Sequence, residues 1–351
     1  YSAFSVTNSS LNLALWKSAS GVTTGRRGLG LVAGRPTATS RYLYAMGGDT
    51  GVVNDSLARG TLLTSVESAG VDVFGVLGTW TFQRNDLAQV WVANAPSSRP
   101  RTQAGVTRIG RFAYLVGGHD GGGPTSAILR AQILDPLTTP EILDLDAELG
   151  DLDLGGTLGL DGGLYYYRVA AIFPTDDPSN PSGESLSGEV LPVQLPARAE
   201  GIVLGLTWEE IPGAHGYRVY RSPLVGDTVD EVELLDEVTC GAATDTCDCA
   251  TNPAQCRLTD DGTLSTMPGE TPMPEGSLGV WHAIDGARCS DAECLLGTAR
   301  EGLVTAAVRD RVEVDPDTDT WYLYAIGGRG PSGYLATFEV ATVTVTLSDG
   351  S

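Results

Sequence analysis

Three stretches of the chain end alike: Arg41-Tyr-Leu-Tyr-Ala-Met-Gly47-Gly48, Arg111-Phe-Ala-Tyr-Leu-Val-Gly117-Gly118 and Trp321-Tyr-Leu-Tyr-Ala-Ile-Gly327-Gly328. Each is a short apolar run with a tyrosine three residues before a glycine pair, at Tyr44, Tyr114 and Tyr324. Short apolar runs closed by turn residues read as β-strands. Paired glycines let the chain turn where backbones crowd, because a residue without Cβ takes positive φ at little cost. A polar, glycine-bearing loop and another strand follow each pair: Ser65-Val-Glu-Ser-Ala69, Ala127-Ile-Leu-Arg-Ala131 and Thr337-Phe-Glu-Val-Ala341.

A second signature closes the unit. Gly75-Val-Leu-Gly-Thr-Trp80 and Gly276-Ser-Leu-Gly-Val-Trp281 share the pattern G-x-L-G-x-W, and Asn12-Leu-Ala-Leu-Trp16 is a weaker copy. Polar connections bearing arginines follow: Arg26 and Arg27, Arg99 and Arg101, and Arg300. An apolar strand then leads back to the next glycine pair. This order resembles the kelch repeat, a blade of four antiparallel strands with a double glycine after the second and a tryptophan in the fourth. The resemblance implies an all-β fold holding a partial kelch-type β-propeller of four-stranded blades, with Trp80, Trp281 and the tyrosines filling the space between blades. The competing reading is generic β-structure with coincidental Gly-Gly turns; three copies in the same order weigh against it.

Spacing reveals an insertion. The first two pairs lie 70 residues apart (47 to 117), and the next interval is 210 (117 to 327). The excess of about 140 residues falls between the strand ending near Asp135 and the closing segment at Gly276, a loop between strands three and four where insertion costs little. Residues 1–136 and 275–351 are therefore assigned to the propeller, and 137–274 to an inserted domain. The insert has its own strands: Gly163-Leu-Tyr-Tyr-Tyr-Arg-Val-Ala-Ala-Ile-Phe173, Leu204-Gly-Leu-Thr-Trp208 and Gly216-Tyr-Arg-Val-Tyr-Arg-Ser222. A Trp208 strand followed by a Tyr217 strand resembles the core of a fibronectin type III β-sandwich. The Tyr165–Tyr167 strand resembles a late strand of that fold yet comes first, so the sandwich is read as permuted or fibronectin-like. Tyr1 to Trp16 reads as the last two strands of a preceding blade. Ser348-Asp-Gly-Ser351 stands where another L-G-x-W strand is expected. Propellers have roughly four to eight blades, so the reading expects further blades outside this sequence.

Composition agrees with an all-β class. The 351 residues include 45 glycines and 19 prolines, and 42% are hydrophobic, enough for a sizeable core. The formal net charge is −22, and Lys17 is the sole lysine. A polyanion of this strength repels nucleic-acid phosphates and anionic membranes, so neither is an expected partner. No apolar run approaches the roughly 20 residues that span a bilayer. The sequence carries no signal peptide and begins at Tyr1, which fits a removed leader or a piece of a longer protein.

Six cysteines fall into two groups. Cys289 and Cys294 enclose four residues, a spacing that a tight hairpin can bridge. Cys240, Cys247, Cys249 and Cys256 form a C-x6-C-x-C-x6-C cluster. Four cysteines allow three pairings; a direct Cys247–Cys249 bond is strained, which leaves two. The even count and the lack of a C-x2-C pair favour disulfides over zinc, and disulfides point to export.

Sites of chemistry are sparse. The three histidines are His119, which with Asp120 follows a glycine pair, His215 in a turn, and His282 after a blade tryptophan. Some kelch propellers are copper oxidases, which need clustered histidines and tyrosines plus a modified cysteine; scattered histidines and paired cysteines give no such site. Asp315-Pro-Asp-Thr-Asp-Thr-Trp321 shares only its ending with a sialidase turn. Asp315, Asp317 and Asp319 offer alternating hard oxygen ligands suited to Ca²⁺, against the reading of a solvated acidic turn. Asp144, Asp146, Asp151 and Asp153 alternate similarly. No P-loop, G-x-S-x-G elbow, H-E-x-x-H or dinucleotide fingerprint is present. The sequence thus points to a non-enzymatic, secreted or cell-surface, bacterial structural or adhesive protein, contacting proteins or glycans through propeller loops and the inserted sandwich. Two alternatives stand beside it: a secreted oxidase or glycan-active enzyme with catalytic groups on other blades, and a subunit of a larger surface complex or filament.

Overall fold

The computed structural model describes residues 4–7, 10–13, 18–51, 58–92, 95–149, 159–196, 201–223, 228–229, 231–241, 246–284, 295–310 and 318–346. Among them the protein is all-β, and the single helical turn is a 3₁₀ segment at Pro253–Cys256. No helix of the described residues is long and apolar enough to cross a membrane. The chain divides into two compact units: Tyr1–Ala88 with Ser98–Ile128 and Glu293–Ser351, and Gln89–Ser97 with Leu129–Ala292.

The first unit carries the glycine pairs. Strands Gly30–Gly34, Tyr42–Met46, Val66–Gly70 and Thr81–Phe82 form a four-stranded antiparallel sheet in chain order. Gly105–Ile109 and Phe112–Val116 form a hairpin that repeats the first two strands, again placing the tyrosine inside. Val304–Arg309, Thr318–Ile326 and Phe338–Thr346 make a three-stranded antiparallel sheet around the third copy. Phe4–Thr7 pairs with Ser10–Leu13, and Arg329–Gly330 with Gly333–Tyr334. Tyr44, Ala45 and Met46 are wholly buried, as are Val116 and Ala113. Met46 and Val116 each contribute roughly 1.5–3 kcal/mol by leaving water.

Small residues set how closely successive copies approach. A Cβ on Gly30 would lie 2.2 Å from Val106 Cγ2, and one on Gly105 would lie 2.4 Å from Thr305 Cγ2. The first strand of each of these copies is thus pressed against the side chains of the next. The glycine pairs take left-handed conformations in all three copies, with φ of 57° and 98° at Gly47 and Gly48, 61° and 91° at Gly117 and Gly118, and 64° and 91° at Gly327 and Gly328. In the first two copies the first glycine of the pair sits where a side chain has no room: a Cβ on Gly47 would lie 2.3 Å from the Arg101 carbonyl oxygen and one on Gly117 2.6 Å from that of Arg300, whereas one on Gly327 would meet Leu335 O only at 3.7 Å.

The second unit holds two further antiparallel sheets. Ile142–Leu149, Ile202–Trp208 and Arg257–Asp260 form one, in that order. Leu191–Gln194, Leu164–Ile172, Gly216–Arg221 and Glu233–Thr239 form the other. Alternate residues of both enter one core, including Leu204, Leu206 and Trp208 from the first sheet and Tyr167, Val169, Tyr217 and Val219 from the second. The Trp208 and Tyr217 rings meet with centroids 5.4 Å apart at 60°, a favourable tilted contact. One ion pair is enclosed: Arg221 Nη1 donates to Asp260 Oδ2 at 2.6 Å, and the Tyr167 hydroxyl donates to the same oxygen at 2.8 Å. Burial, followed by the adjacent Asp260 charge, pushes the Tyr167 hydroxyl far above its ordinary value.

The two G-x-L-G-x-W segments pair alike, each within its own unit. Leu77 bridges Val71, and Gly78 N–H donates to Gly70 O at 2.9 Å. Leu278 bridges Ile133, and Gly279 N–H donates to Gln132 O at 2.7 Å. About 140 residues separate the two sides of the second pairing, against a handful in the first. Strand His282–Ile284 follows Trp281 and pairs in parallel with Val90–Val92.

Candidate functional site

The residues that follow the arginine connections bring the three copies together in the first unit. Gly28, Gln103 and Gly302 all have left-handed backbones, with φ of 58°, 54° and 61°. Gln103 N–H donates to Gly28 O at 2.7 Å, and Gly302 N–H donates to Gln103 O at 2.8 Å. A main-chain relay thus runs from copy to copy. Gln103 is the instructive member, because a side-chain-bearing residue is held at positive φ only where its surroundings fix it.

One residue earlier, each copy ties back to the residue after its glycine pair. Arg27 and Asp49 exchange main-chain hydrogen bonds of 2.9 and 3.0 Å, Thr102 and His119 of 3.1 and 2.8 Å, and Glu301 and Arg329 of 2.9 and 2.8 Å. The side chains follow the same pairing with the charges reversed between the first and third copies. Arg27 Nε donates to Asp49 Oδ1 at 3.0 Å, while Arg329 Nη1 lies 3.8 Å from Glu301 Oε1. Burial pushes the Asp49 carboxyl up, but hydrogen bonds from Arg27, Thr102 and the Gly51 and Gly60 N–H groups outweigh it and hold the carboxyl below its ordinary value.

A cleft of about 690 Å³ opens beside this relay, lined by Gly28, Arg59, Gln103, Glu301, Arg329 and Tyr334 among others. Glu301 is buried and anchors it. Arg59 Nη2 donates to Glu301 Oε2 at 2.7 Å and to Gln103 Oε1 at 3.2 Å, while Arg59 Nε is buried without a partner. Two guanidinium groups therefore face one carboxylate, leaving a local surplus of positive charge on a strongly acidic chain. Arg329 and Tyr334 are exposed. The arrangement offers N–H donors and an aromatic ring to a ligand carrying oxygen acceptors.

Behind the relay, one arginine of each copy is buried. Arg26 Nη1 donates to Gly47 O at 3.0 Å and Ser65 O at 3.1 Å, and Nη2 donates to Glu67 Oε1. Arg300 repeats this, with Nη1 to Gly327 O at 3.1 Å and Thr337 O at 3.2 Å, and Nη2 to Glu339 Oε1. Arg101 holds the same place in the second copy, where sequence puts Leu129 at the glutamate position. Its Nη1 reaches Pro100 O at 3.0 Å, and its buried Nε has no partner. Burial lowers the Arg101 pKa, with Asp120 acting in the opposite sense.

The residues singled out from sequence are widely placed. Tyr44, Tyr114, Trp80 and Trp281 are buried, and Trp80 Nε1 donates to Ser20 O at 3.1 Å. Tyr324 is half-buried. His119 Nδ1 accepts from Gly121 N–H at 3.0 Å, and the buried His282 accepts at Nε2 from Arg130 Nε at 2.7 Å. His215 sits in the turn before Gly216–Arg221, its buried Nδ1 without a partner. The four clustered cysteines form Cys240–Cys247 and Cys249–Cys256 disulfides; Cys289 and Cys294 lie outside the described residues. So do Asp315 and Asp317, the first two of the proposed Ca²⁺ ligands, while Asp319 lies in a strand and pairs with Arg309 at 3.0 Å through Nε. Asp151 and Asp153 are also outside, Asp144 caps the Leu145 N–H, and Asp146 lies 3.5 Å from Arg257. No group of three or more metal-ligating side chains occurs among the described residues.

Compared with known proteins, the chain matches no family model and no curated sequence. The cleft residues Arg59, Gln103, Glu301 and Tyr334 carry no local motif. The signal available in sequence was their position: Glu301 follows a repeated arginine, and Gln103 falls where the other copies have glycine.

Proposed function

We propose that this chain is an extracellular, non-enzymatic binding protein built on a partial kelch-type β-propeller, with a fibronectin type III-like β-sandwich at 137–274 spliced between two strands of one blade. The relay of main-chain hydrogen bonds through Gly28, Gln103 and Gly302 carries the reading, because it links like positions of three repeated units. The matching arginine and glycine-pair contacts support it, as does the pairing of Gly279 with Gln132 across the insert. Two sheets sharing the Trp208–Tyr217 core support the sandwich. The two disulfides are compatible with an extracellular protein.

The cleft is the recognition site in this reading, and proteins or glycans bearing acidic groups are its partners. Arginine suits carboxylate because its planar fork presents two parallel donors, and an exposed tyrosine adds an apolar platform with a polar tip. His119 and His282 are already engaged by the fold, which favours binding over acid–base chemistry. Screening the full chain on an array of neutral and acidic glycans, with Arg329→Ala and Tyr334→Ala beside it, tests the assignment. Selective retention of acidic glycans, weakened at least tenfold by either substitution, is expected. Retention that ignores both substitutions would remove the cleft from consideration.

A further inference from the structure

The loop at 173–190 joins two neighbouring strands of the second unit, Leu164–Ile172 and Leu191–Gln194, yet of its residues only Asp176, Pro178 and Glu189 are exposed. Loops ordinarily run over the surface, so the burial of this one calls for a cause. Its shape is fixed from within. Asp177 Oδ1 accepts from Ser179 N–H at 2.8 Å and from Asn180 N–H at 2.6 Å, and Gly183 N–H donates to Asn180 O at 2.9 Å. Glu184 ties the loop to the sheet it leaves, accepting from Arg218 Nη1 at 2.9 Å and from the Tyr220 hydroxyl. Asn180 is 1% exposed and uses both ends of its carboxamide. Its Nδ2 donates to Glu184 O at 3.1 Å, and its Oδ1 accepts from Val280 N–H at 2.7 Å. The first bond stays within the loop. The second reaches the G-x-L-G-x-W segment at 276–281, 100 residues along the chain.

The first copy supplies a comparison. Its own G-x-L-G-x-W segment leaves Gly78 and Thr79 exposed, whereas the aligned Gly279 is buried and Val280 half-buried. Ser68 and Thr81, partners across the first copy's sheet, align with Arg130 and His282. Arg130 Nε donates to His282 Nε2 at 2.7 Å, and its Nη2 donates to Pro178 O of the loop at 2.6 Å. Two small polar residues thus give way to a pair that reaches the loop. Leu186 of the loop adds an apolar contact with Leu134 and Met273.

The chain enters and leaves the two-sheet body of the second unit at adjacent points, because Leu134 N–H donates to Ser277 O at 3.1 Å. Two adjacent crossings act as a hinge, and relative motion is the default for bodies joined in this way. The contacts at Val280 and Arg130 lie three and four residues along the chain from that junction, where they oppose swinging. We propose that the loop at 173–190 is a strap that locks the two-sheet body to the segments 129–135 and 276–284, with Asn180 as its anchor. The two parts then move as one rigid body and offer a partner a single surface of fixed shape. The proposal requires neither a ligand in the cleft nor a closed ring of copies.

Pulsed dipolar electron resonance on the full chain tests it, with spin labels at the exposed Gln89 and Glu148. Gln89 precedes the strand Val90–Val92, which pairs with His282–Ile284, and Glu148 lies in the two-sheet body. Labels attached through introduced keto amino acids leave the disulfides intact. The unaltered chain is expected to give one narrow distance distribution. Asn180→Ala is expected to broaden it about twofold, and so, independently, is Arg130→Ser, which installs the residue of the first copy. Hydrogen exchange at Val280 is expected to quicken about tenfold in Asn180→Ala. Unchanged exchange at Leu206 and Val219 checks that the body itself stays folded. A broad distribution in the unaltered chain would overturn the proposal. So would a distribution that stays narrow in both variants while Val280 exchange shows the Asn180 bond to be lost.

Discussion

Arg26 donates to Glu67 with both side chains entirely out of water. Arg300 and Glu339 reproduce the pair at the third copy, with Arg300 equally buried and Glu339 partly exposed. Carbonyls of Gly47, Ser65, Gly327 and Thr337 take further guanidinium protons. Such a pair adds little net stability, yet breaking it is costly because one charge is left buried and uncompensated.

That asymmetry separates two arginine substitutions. Arg26→Leu strands the Glu67 carboxylate and is expected to cost about 3–5 kcal/mol. Arg101→Leu removes a buried cation with no acidic hydrogen-bond partner and is expected to be near neutral, within about 1 kcal/mol. Hydrogen exchange of the Tyr42–Met46 and Phe112–Val116 strands reads the two effects locally; equal loss of protection in both variants would contradict the assignment.

Gly47 and Gly75 make a second contrast. Both have positive φ, but a Cβ at Gly47 meets Arg101 O at 2.3 Å whereas nothing lies within 4 Å of one at Gly75. Gly75→Ala is expected to cost only the left-handed backbone penalty of about 1–2 kcal/mol. Gly47→Ala adds displacement of neighbouring main chain and is expected to cost clearly more in urea unfolding. Indistinguishable midpoints would show that the pair is not packed as described.

The disulfide pattern is open to direct chemistry. Cleavage on the amino side of Asp248 without reductant separates Cys240–Cys247 from Cys249–Cys256. Two independent fragments, each with one internal bond, are expected by mass spectrometry. A product still joined across residue 248 would mean crossed pairing.

Acid is expected to loosen the first unit through Asp49. Its native pKa is held below the ordinary 3.8, so its contribution is complete above that value and fades as pH falls through the lowered native one. Asp49→Asn should flatten this part of the stability profile below about pH 4. A variant whose acid unfolding follows that of the unaltered chain would exclude Asp49 as the source.

How far the sequence reaches is clearest at particular residues. Strand–glycine-pair segments at Tyr44, Tyr114 and Tyr324 are legible because strand patterning and positive-φ glycine are local properties. The all-β class follows from the same local signals. The cysteine pairing was not legible, since both acceptable pairings satisfy the same spacing, and only the fold around Cys240 and Cys256 chooses between them. Nor was the cleft. Arg59, Gln103, Glu301 and Tyr334 stand far apart along the chain and belong to no motif, so their meeting depends on how the copies are laid side by side. By itself the sequence determined which segments are strands and where the chain turns, because those choices rest on neighbouring residues. Which charges meet and where the cleft opens were decided by tertiary structure alone, because each is a distance between residues that the chain order leaves free.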